Sequence, residues 1–393
     1  MSSMYRQFIR LFAVMILTSL GLFGCMTHPK ITGPKPIPVA PLAKDGLFGA
    51  KPDLTQVDQI FALTDSQRED FERFFYSRKY STTPANKRIY KYLQRYVKNY
   101  NYFNKTLTAQ QSLSQAQGNC LSLAILTTAL SKVAGVDTGY QLVESAPIFQ
   151  KEGDIVISSQ HVRSLLFAPK IELPEGVLQF NRAGVIIDYF PSAGSHVKRT
   201  VLETEFHAMY YRNTAADEII HKNYDKAFWL LKEALALYPT DEHSINMMAV
   251  VHERKGLAYH ADKLYKYGLK HSHDKLDLLR NYQKFLTKQN RFTEAKQIKA
   301  KLATMKNVNP FDWISLGHTA FSERKFSEAK RYYNKALKIA PYLHQGHMGV
   351  AKSEFKLGNI NASKKSMLLA KKNAFELELQ DLYQTKLNAL AKY

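Results

Sequence analysis

The chain has 393 residues, a formal net charge of +21 and 12% aromatic residues. That length holds two domains with real cores once a leader and a linker are set aside. Its lysines are spread along helical stretches and no nucleic-acid motif is present, so the basicity reads as solvated helix faces and gives no ground for a nucleic-acid partner.

In chain order, Arg6 and Arg10 come first, followed by an apolar run from Leu11 to Gly24. At about fourteen residues the run falls short of the roughly twenty a spanning helix needs, and it suits a signal-peptide core. It ends in Leu22-Phe23-Gly24-Cys25, which resembles a bacterial lipobox. The resemblance implies that residues 1–24 are a lipoprotein signal peptide and that Cys25 becomes the acylated first residue, holding the protein on a membrane. An uncleaved anchor helix is the alternative, and both export the rest of the chain. Met26, where an aspartate would mark inner-membrane retention, implies the outer membrane of a bacterial envelope. Residues 25–55 carry Pro29, Pro34, Pro36, Pro38 and Pro41 and are expected to form an extended tether.

Residues 56–206 are expected to form an α+β domain. Up to about residue 115 the aromatics, among them Phe61, Phe71, Phe75, Tyr92 and Tyr96, fall at helical spacing and read as core. A helix is expected from Asn119 to Ala134, closed by Gly135. Strands are expected over Thr138–Ser145, Asp154–Ser159, His161–Ala168 and Gly184–Phe190. With Cys25 acylated, Cys120 has no disulfide partner within the chain. An exported, unpaired thiol at a helix N-terminus reads as a nucleophile; the plainer reading is a small buried core residue.

Gly118-Asn119-Cys120-Leu121-Ser122 resembles the nucleophile segment of the transglutaminase-like superfamily, a papain-related fold. Gln160-His161-Val162-Arg163 and Val185-Ile186-Ile187-Asp188 resemble its histidine-bearing and aspartate-bearing strands, and the likeness covers roughly residues 85–195. It implies a Cys120–His161–Asp188 triad acting on an amide or acyl group as a cysteine peptidase or acyltransferase. Cys120 would be the nucleophile, His161 the base and then the acid, and Asp188 the group that orients the imidazole. The Cys120 backbone N–H would serve as oxyanion donor, with a second donor from Gln115 or Gln117. His196 and His207 are the fallback imidazoles. The histidines do not fall in metal-ligand spacings and no phosphate-cradling loop is present, so neither metal nor cofactor is expected.

Residues 207–393 repeat with a period of 34. The clearest unit starts at Pro310 and carries Trp313, Leu316, Gly317, Ala320, Ala329, Tyr333, Ala336 and Pro341, a pattern that resembles the tetratricopeptide consensus. About five units are expected, starting near 208, 242, 276, 310 and 344, followed by a capping helix in 376–393 through Leu377, Leu382, Leu387 and Leu390. Such arrays stack into a groove that binds a peptide or a protein, an inference of fold level only. The main functional expectation is therefore an envelope-anchored thiol enzyme acting on a partner held by the array. The competing one is a non-catalytic scaffold that organises envelope protein complexes. Basic adhesion to anionic envelope polymer or extracellular DNA is a third, weaker one.

Overall fold

The computed structural model describes residues 44–97, 101–102, 105–152, 155–170, 182–188, 196–272, 275–304, 310–374 and 377–391. The expected signal peptide, Cys25 and the proline-rich stretch to Pro41 lie outside the described residues. No described helix is long and apolar enough to cross a membrane.

The first half is built around one helix. Short helices α1 (Val57–Ile60), α2 (Asp65–Phe75), α3 (Ala85–Val97) and α4 (Ala109–Gln115) precede α5 (Cys120–Ala134). Thr64 and Thr108 cap α2 and α4 by accepting N–H bonds from Gln67 and Gln111. Helix α5 is buried without a break from Cys120 to Ser131. A helix apolar on every side must be covered on every side. Its few hydroxyls are satisfied internally: Thr127, Thr128 and Ser131 donate to the carbonyls of Leu123, Ala124 and Thr127. Gly135 ends it in the left-handed region at φ 66°.

The sheet that covers one side has the order β5-β4-β3-β6 and is antiparallel throughout: β3 is Thr138–Glu152, β4 Ile155–Phe167, β5 Gly184–Ile187 and β6 His196–Val201. A separate parallel pair of two-residue strands, β1 (Asn101–Tyr102) and β2 (Gln117–Gly118), lies ahead of α5. The sequence reading needs correction here. Its separate strands over 154–159 and 161–168 are one strand, because β3 and β4 form a continuous hairpin ladder with a single irregularity between Val143 and Ile148. Strand β6 was not anticipated: with Lys198, Arg199 and Thr200 it is an exposed edge strand that lacks an apolar alternation.

The second half is a stack of helical hairpins: α6 (Glu203–Ile220) with α7 (Tyr224–Leu237), α8 (Glu242–Arg254) with α9 (Ala258–His271), α10 (Leu276–Lys288) with α11 (Phe292–Thr304), α12 (Pro310–Ser322) with α13 (Phe326–Ile339), and α14 (His344–Lys356) with α15 (Ile360–Lys372). The first helices of successive hairpins start at 242, 276, 310 and 344, and the second helices at 224, 258, 292, 326 and 360. The small residues of the repeat are where neighbouring helices touch. The Tyr333 ring lies between Gly317 and Gly349, and a Cβ built at either glycine would stand 2.5 Å from it. Helix α16 (Leu377–Leu390) closes the stack, held by buried Tyr383 and Leu390, while Leu382, expected in its core face, is exposed.

Two boundaries of the sequence reading move. The division at residue 206/207 falls inside α6, and a single apolar core runs from Leu54 through α5 and the sheet to Ile298 on α11. Stacking of Tyr140 on Phe206, ring centroids 3.8 Å apart, ties the sheet to the first hairpin. The expected tether also ends early, because residues 45–55 are docked on the array. Phe48 stacks on Phe228 at 3.8 Å and meets His252 edge-on at 4.9 Å. The Trp229 indole N–H donates to the Gly49 carbonyl at 2.8 Å, the Gly49 N–H donates to Asp225 at 3.2 Å, and Lys232 pairs with Asp45 at 2.6 Å. Tyr211 donates to the Thr55 carbonyl at 2.7 Å. An aromatic residue followed by backbone that finds polar partners is a docking sequence, which composition alone did not reveal.

The glycine contacts generate a test. Replacing Gly317 by alanine forces a methyl against the Tyr333 ring and is expected to cost about 1–3 kcal/mol in urea denaturation, the usual magnitude of core overpacking. A stability equal to wild type would show that the hairpins can shift apart freely.

Candidate functional site

Cys120 opens α5, and the capping residue before it sets its position. The Asn119 carboxamide oxygen accepts the Ser122 N–H at 3.0 Å, while its NH2 donates to Thr106 Oγ1 at 2.7 Å. Ser122 Oγ accepts the Leu107 N–H at 2.9 Å, which fixes the loop ahead of α4 against the same turn. Thr106 Oγ1 also accepts from Asn213 on α6 at 3.2 Å. The cap of the cysteine helix therefore shares a hydroxyl with the first hairpin of the array.

The thiol is buried, and burial pushes its pKa up to about 11. The backbone N–H groups of Val162, Leu121 and Cys120 act in the opposite direction, and the Asp188 charge adds to the rise. The sequence-based argument that the helix terminus would favour a thiolate meets a larger opposing effect: the sulfur has lost its water. Helix α5 packs on β4, and the Val162 N–H places the sulfur beside the residue that follows His161.

His161 and Asp188 are bonded directly. Nε2 of His161 is 2.8 Å from Oδ1 of Asp188, with both side chains largely buried. The other ring nitrogen, Nδ1, is buried too. Strand register explains the meeting. Ser164 pairs with Ile187 across β4 and β5, so continuing the ladder by one residue sets Asp188 opposite Arg163. His161 lies two residues from Arg163 on the same face. Arg163 Nη1 is 3.9 Å from Asp188 Oδ2, and its Nε donates to Gln141 Oε1 at 2.9 Å. Gln141 is the register partner of Arg163 on β3.

The remaining candidates lie apart from this row. Gln117 donates its amide to Gln115 Oε1 at 2.7 Å, and the Gln115 side is exposed. His196 starts β6 at the opposite edge of the sheet from β5. His207 is buried on α6 against Phe61, 3.7 Å from Glu203, and burial holds its pKa below the usual histidine value. Sequence reasoning passed over Arg163, although the two-residue period of a strand puts it on the face of His161. Gln141 could be found only from the register of β3 on β4. Among the described residues no group of His, Cys, Asp or Glu is placed to hold a metal ion.

No known family model matches this chain, and no curated protein matches it. Solved structures similar to it include PilF of Pseudomonas aeruginosa, 20% identical with a TM-score of 0.33, covering 47% of this chain and 84% of that one. PilW, described as a widely conserved type IV pilus biogenesis factor, is 15% identical with a TM-score of 0.31 over 47% of this chain and 86% of its own. YrrB, described as a TPR protein with an unusual peptide-binding site, is 15% identical with a TM-score of 0.25 over 46% and 92%. Likenesses at this level carry no conclusion about partners or chemistry.

The buried thiol makes stability depend on alkaline pH. Its folded pKa of about 11 lies above the ordinary 9.0, so the unfolded chain releases this proton first and the folded state loses stability as pH rises above 9.0. Between pH 8 and 10 wild type is expected to lose about 1 kcal/mol more than Cys120→Ser in urea titrations. Parallel losses in the two proteins would show that the thiol is not shielded from water.

Proposed function

We propose that this chain is a protein-docking platform whose helical-repeat array binds a protein or peptide partner. The observation that supports it is the chain's own segment Asp45–Lys51, held on α7 and α8 by an aromatic seat for Phe48 and by side-chain bonds to the Gly49 backbone. This is how an array recognises an extended peptide: apolar anchoring supplies affinity, and bonds to the main chain fix direction. Exposed Tyr259, Phe292, Leu316 and Leu368 on later helices leave further apolar surface. The lipobox-like Leu22-Phe23-Gly24-Cys25 supports an acyl anchor on Cys25, which would hold the platform on a bacterial envelope membrane, the outer one by the residue at position 26. A photo-activatable side chain placed at Leu316 or Leu368 of the full chain, in its native envelope, is expected to crosslink to a discrete protein. The products are expected to be the same in Cys120→Ser. Array positions that yield no discrete product would end the docking reading.

A second reading is favoured by the 2.8 Å His161–Asp188 bond beside the Cys120 helix: a transglutaminase-like thiol centre acting on the docked partner. With Nε2 held by Asp188, the thiol proton goes to Nδ1 as sulfur attacks the amide carbon. The imidazolium then returns that proton to the departing amine, leaving a thioester that water or another amine resolves. The Cys120 N–H would stabilise the oxyanion. Iodoacetamide labelling of Cys120 at neutral pH is expected to be faster in wild type than in His161→Ala. Equal rates would leave docking as the protein's role.

A further inference from the structure

The thiol reading assigns roles to three side chains, but the carboxylate among them is held from two sides. Asp188 Oδ1 is bonded to His161 Nε2, and Oδ2 faces the Arg163 guanidinium at 3.9 Å. Arg163 is itself anchored, since its Nε donates to Gln141 Oε1 at 2.9 Å. Gln141, Arg163 and Asp188 form one cross-strand row through β3, β4 and the end of β5, and His161 is the next residue on that face of β4. Gln141, Arg163 and His161 are fixed by ladder register, and Asp188, the first residue beyond β5, is held by its side-chain bond to His161.

We propose that Arg163, anchored by Gln141, is a positioning residue for the Cys120–His161–Asp188 centre. It fixes which carboxylate oxygen faces the imidazole and offsets the pull of the carboxylate on the imidazole proton. This rests on the thiol reading given above. Both actions follow from where the guanidinium sits. The guanidinium reaches Asp188 Oδ2 through Nη1 while its Nε is tied to Gln141, and a single-point ammonium does not keep both contacts in that geometry. A cation beside Asp188 also weakens the field that would otherwise keep the proton on the Cys120–His161 pair to higher pH.

Among the described residues, the charged and titratable groups at this place are Cys120 from α5, His161 and Arg163 from β4 and Asp188 beyond β5; β3 contributes the uncharged Gln141. On α3, which packs against β5, Arg88 is committed to the carbonyls of Phe75, Ser81 and Thr83 and leaves the balance unchanged.

The test is the pH dependence of Cys120 alkylation by iodoacetamide in the full chain, read by mass spectrometry of the Cys120 peptide. Wild type is compared with His161→Ala, Arg163→Met, Arg163→Lys and Gln141→Leu. Arg163→Met is expected to move the acid midpoint of the rate profile up by about half a pH unit or more, because a cation has been removed. It is also expected to lower the plateau rate about fivefold, because the carboxylate is no longer held. Arg163→Lys restores the charge but not the fork, so its midpoint returns to the wild-type value while its plateau stays low. Gln141→Leu keeps the guanidinium without its anchor, so it too lowers the plateau and leaves the midpoint in place. A purely structural role would lower rates in all three with no midpoint separating Arg163→Met from Arg163→Lys, and that pattern overturns the proposal. Wild-type midpoint and plateau in Arg163→Met overturn it as well, provided wild type still outpaces His161→Ala. If Arg163→Met does not fold, Arg163→Lys and Gln141→Leu decide: wild-type plateaus in both overturn it. If wild type and His161→Ala label alike, the thiol reading itself fails, an outcome distinct from the failure of Arg163 alone.

Discussion

Helix α5 has no face to offer to water, and the first half of the molecule is arranged around that fact. Buried from Cys120 to Ser131, it must be covered on one side by β4 and on others by α2, α3 and α4. A helix enclosed in this way can expose only an end. The Asn119 cap, tied to Ser122 and Thr106, settles how that end meets the sheet. The position of Cys120 against the Val162 N–H is thus a consequence of covering an apolar helix, before any chemistry is considered.

The same reasoning explains why the two halves share one core. Helix α6 follows β6 without a linker, and Phe206 near its start stacks on Tyr140 of the sheet. A repeat hairpin cannot bury its apolar stripe alone, so the first hairpin needs a partner on its outer side. Here the sheet and α5 supply it. The strap through Phe48 covers the seam between the first hairpin and the second, against Phe228 on α7 and His252 on α8. With the sheet at one end and α16 at the other, both ends of the stack are closed.

The array was the most legible part of the sequence because its period is set by packing: small residues recur where helices touch, as Gly317 and Gly349 do against Tyr333. Helix α5 was legible from its uninterrupted apolar run and from Gly135. The sheet was less so. An edge strand such as β6, with Lys198, Arg199 and Thr200 exposed, lacks the alternation that marks a half-buried strand. The docked segment 45–55 was hidden by the prolines ahead of it, since a single Phe48 carries the apolar contact and the remaining bonds go to its backbone and charged side chains. Local sequence offered Cys120, His161 and Asp188 as candidates, and the structure bonds His161 to Asp188. Gln141 and Arg163 come into line with Asp188 through strand register, a property of pairing between segments that no single segment displays.

The thiol and the charges around it pull in opposite directions. Burial pushes the Cys120 pKa up to about 11, and the nearby carboxylate adds to that, while the N–H groups at the helix terminus and at Val162 favour the anion. In a site with little water each of these effects is stronger than it would be at the surface. A bare Asp188 at this depth would be costly. Arg163 offsets that cost, because its guanidinium stands 3.9 Å from the carboxylate. Burial thus holds the sulfur toward its protonated form, and Asp188 holds the imidazole in place. Any chemistry proposed for this thiol must build charge on a sulfur that has lost its water, and the N–H groups at the helix terminus and at Val162 are the effect that opposes that cost.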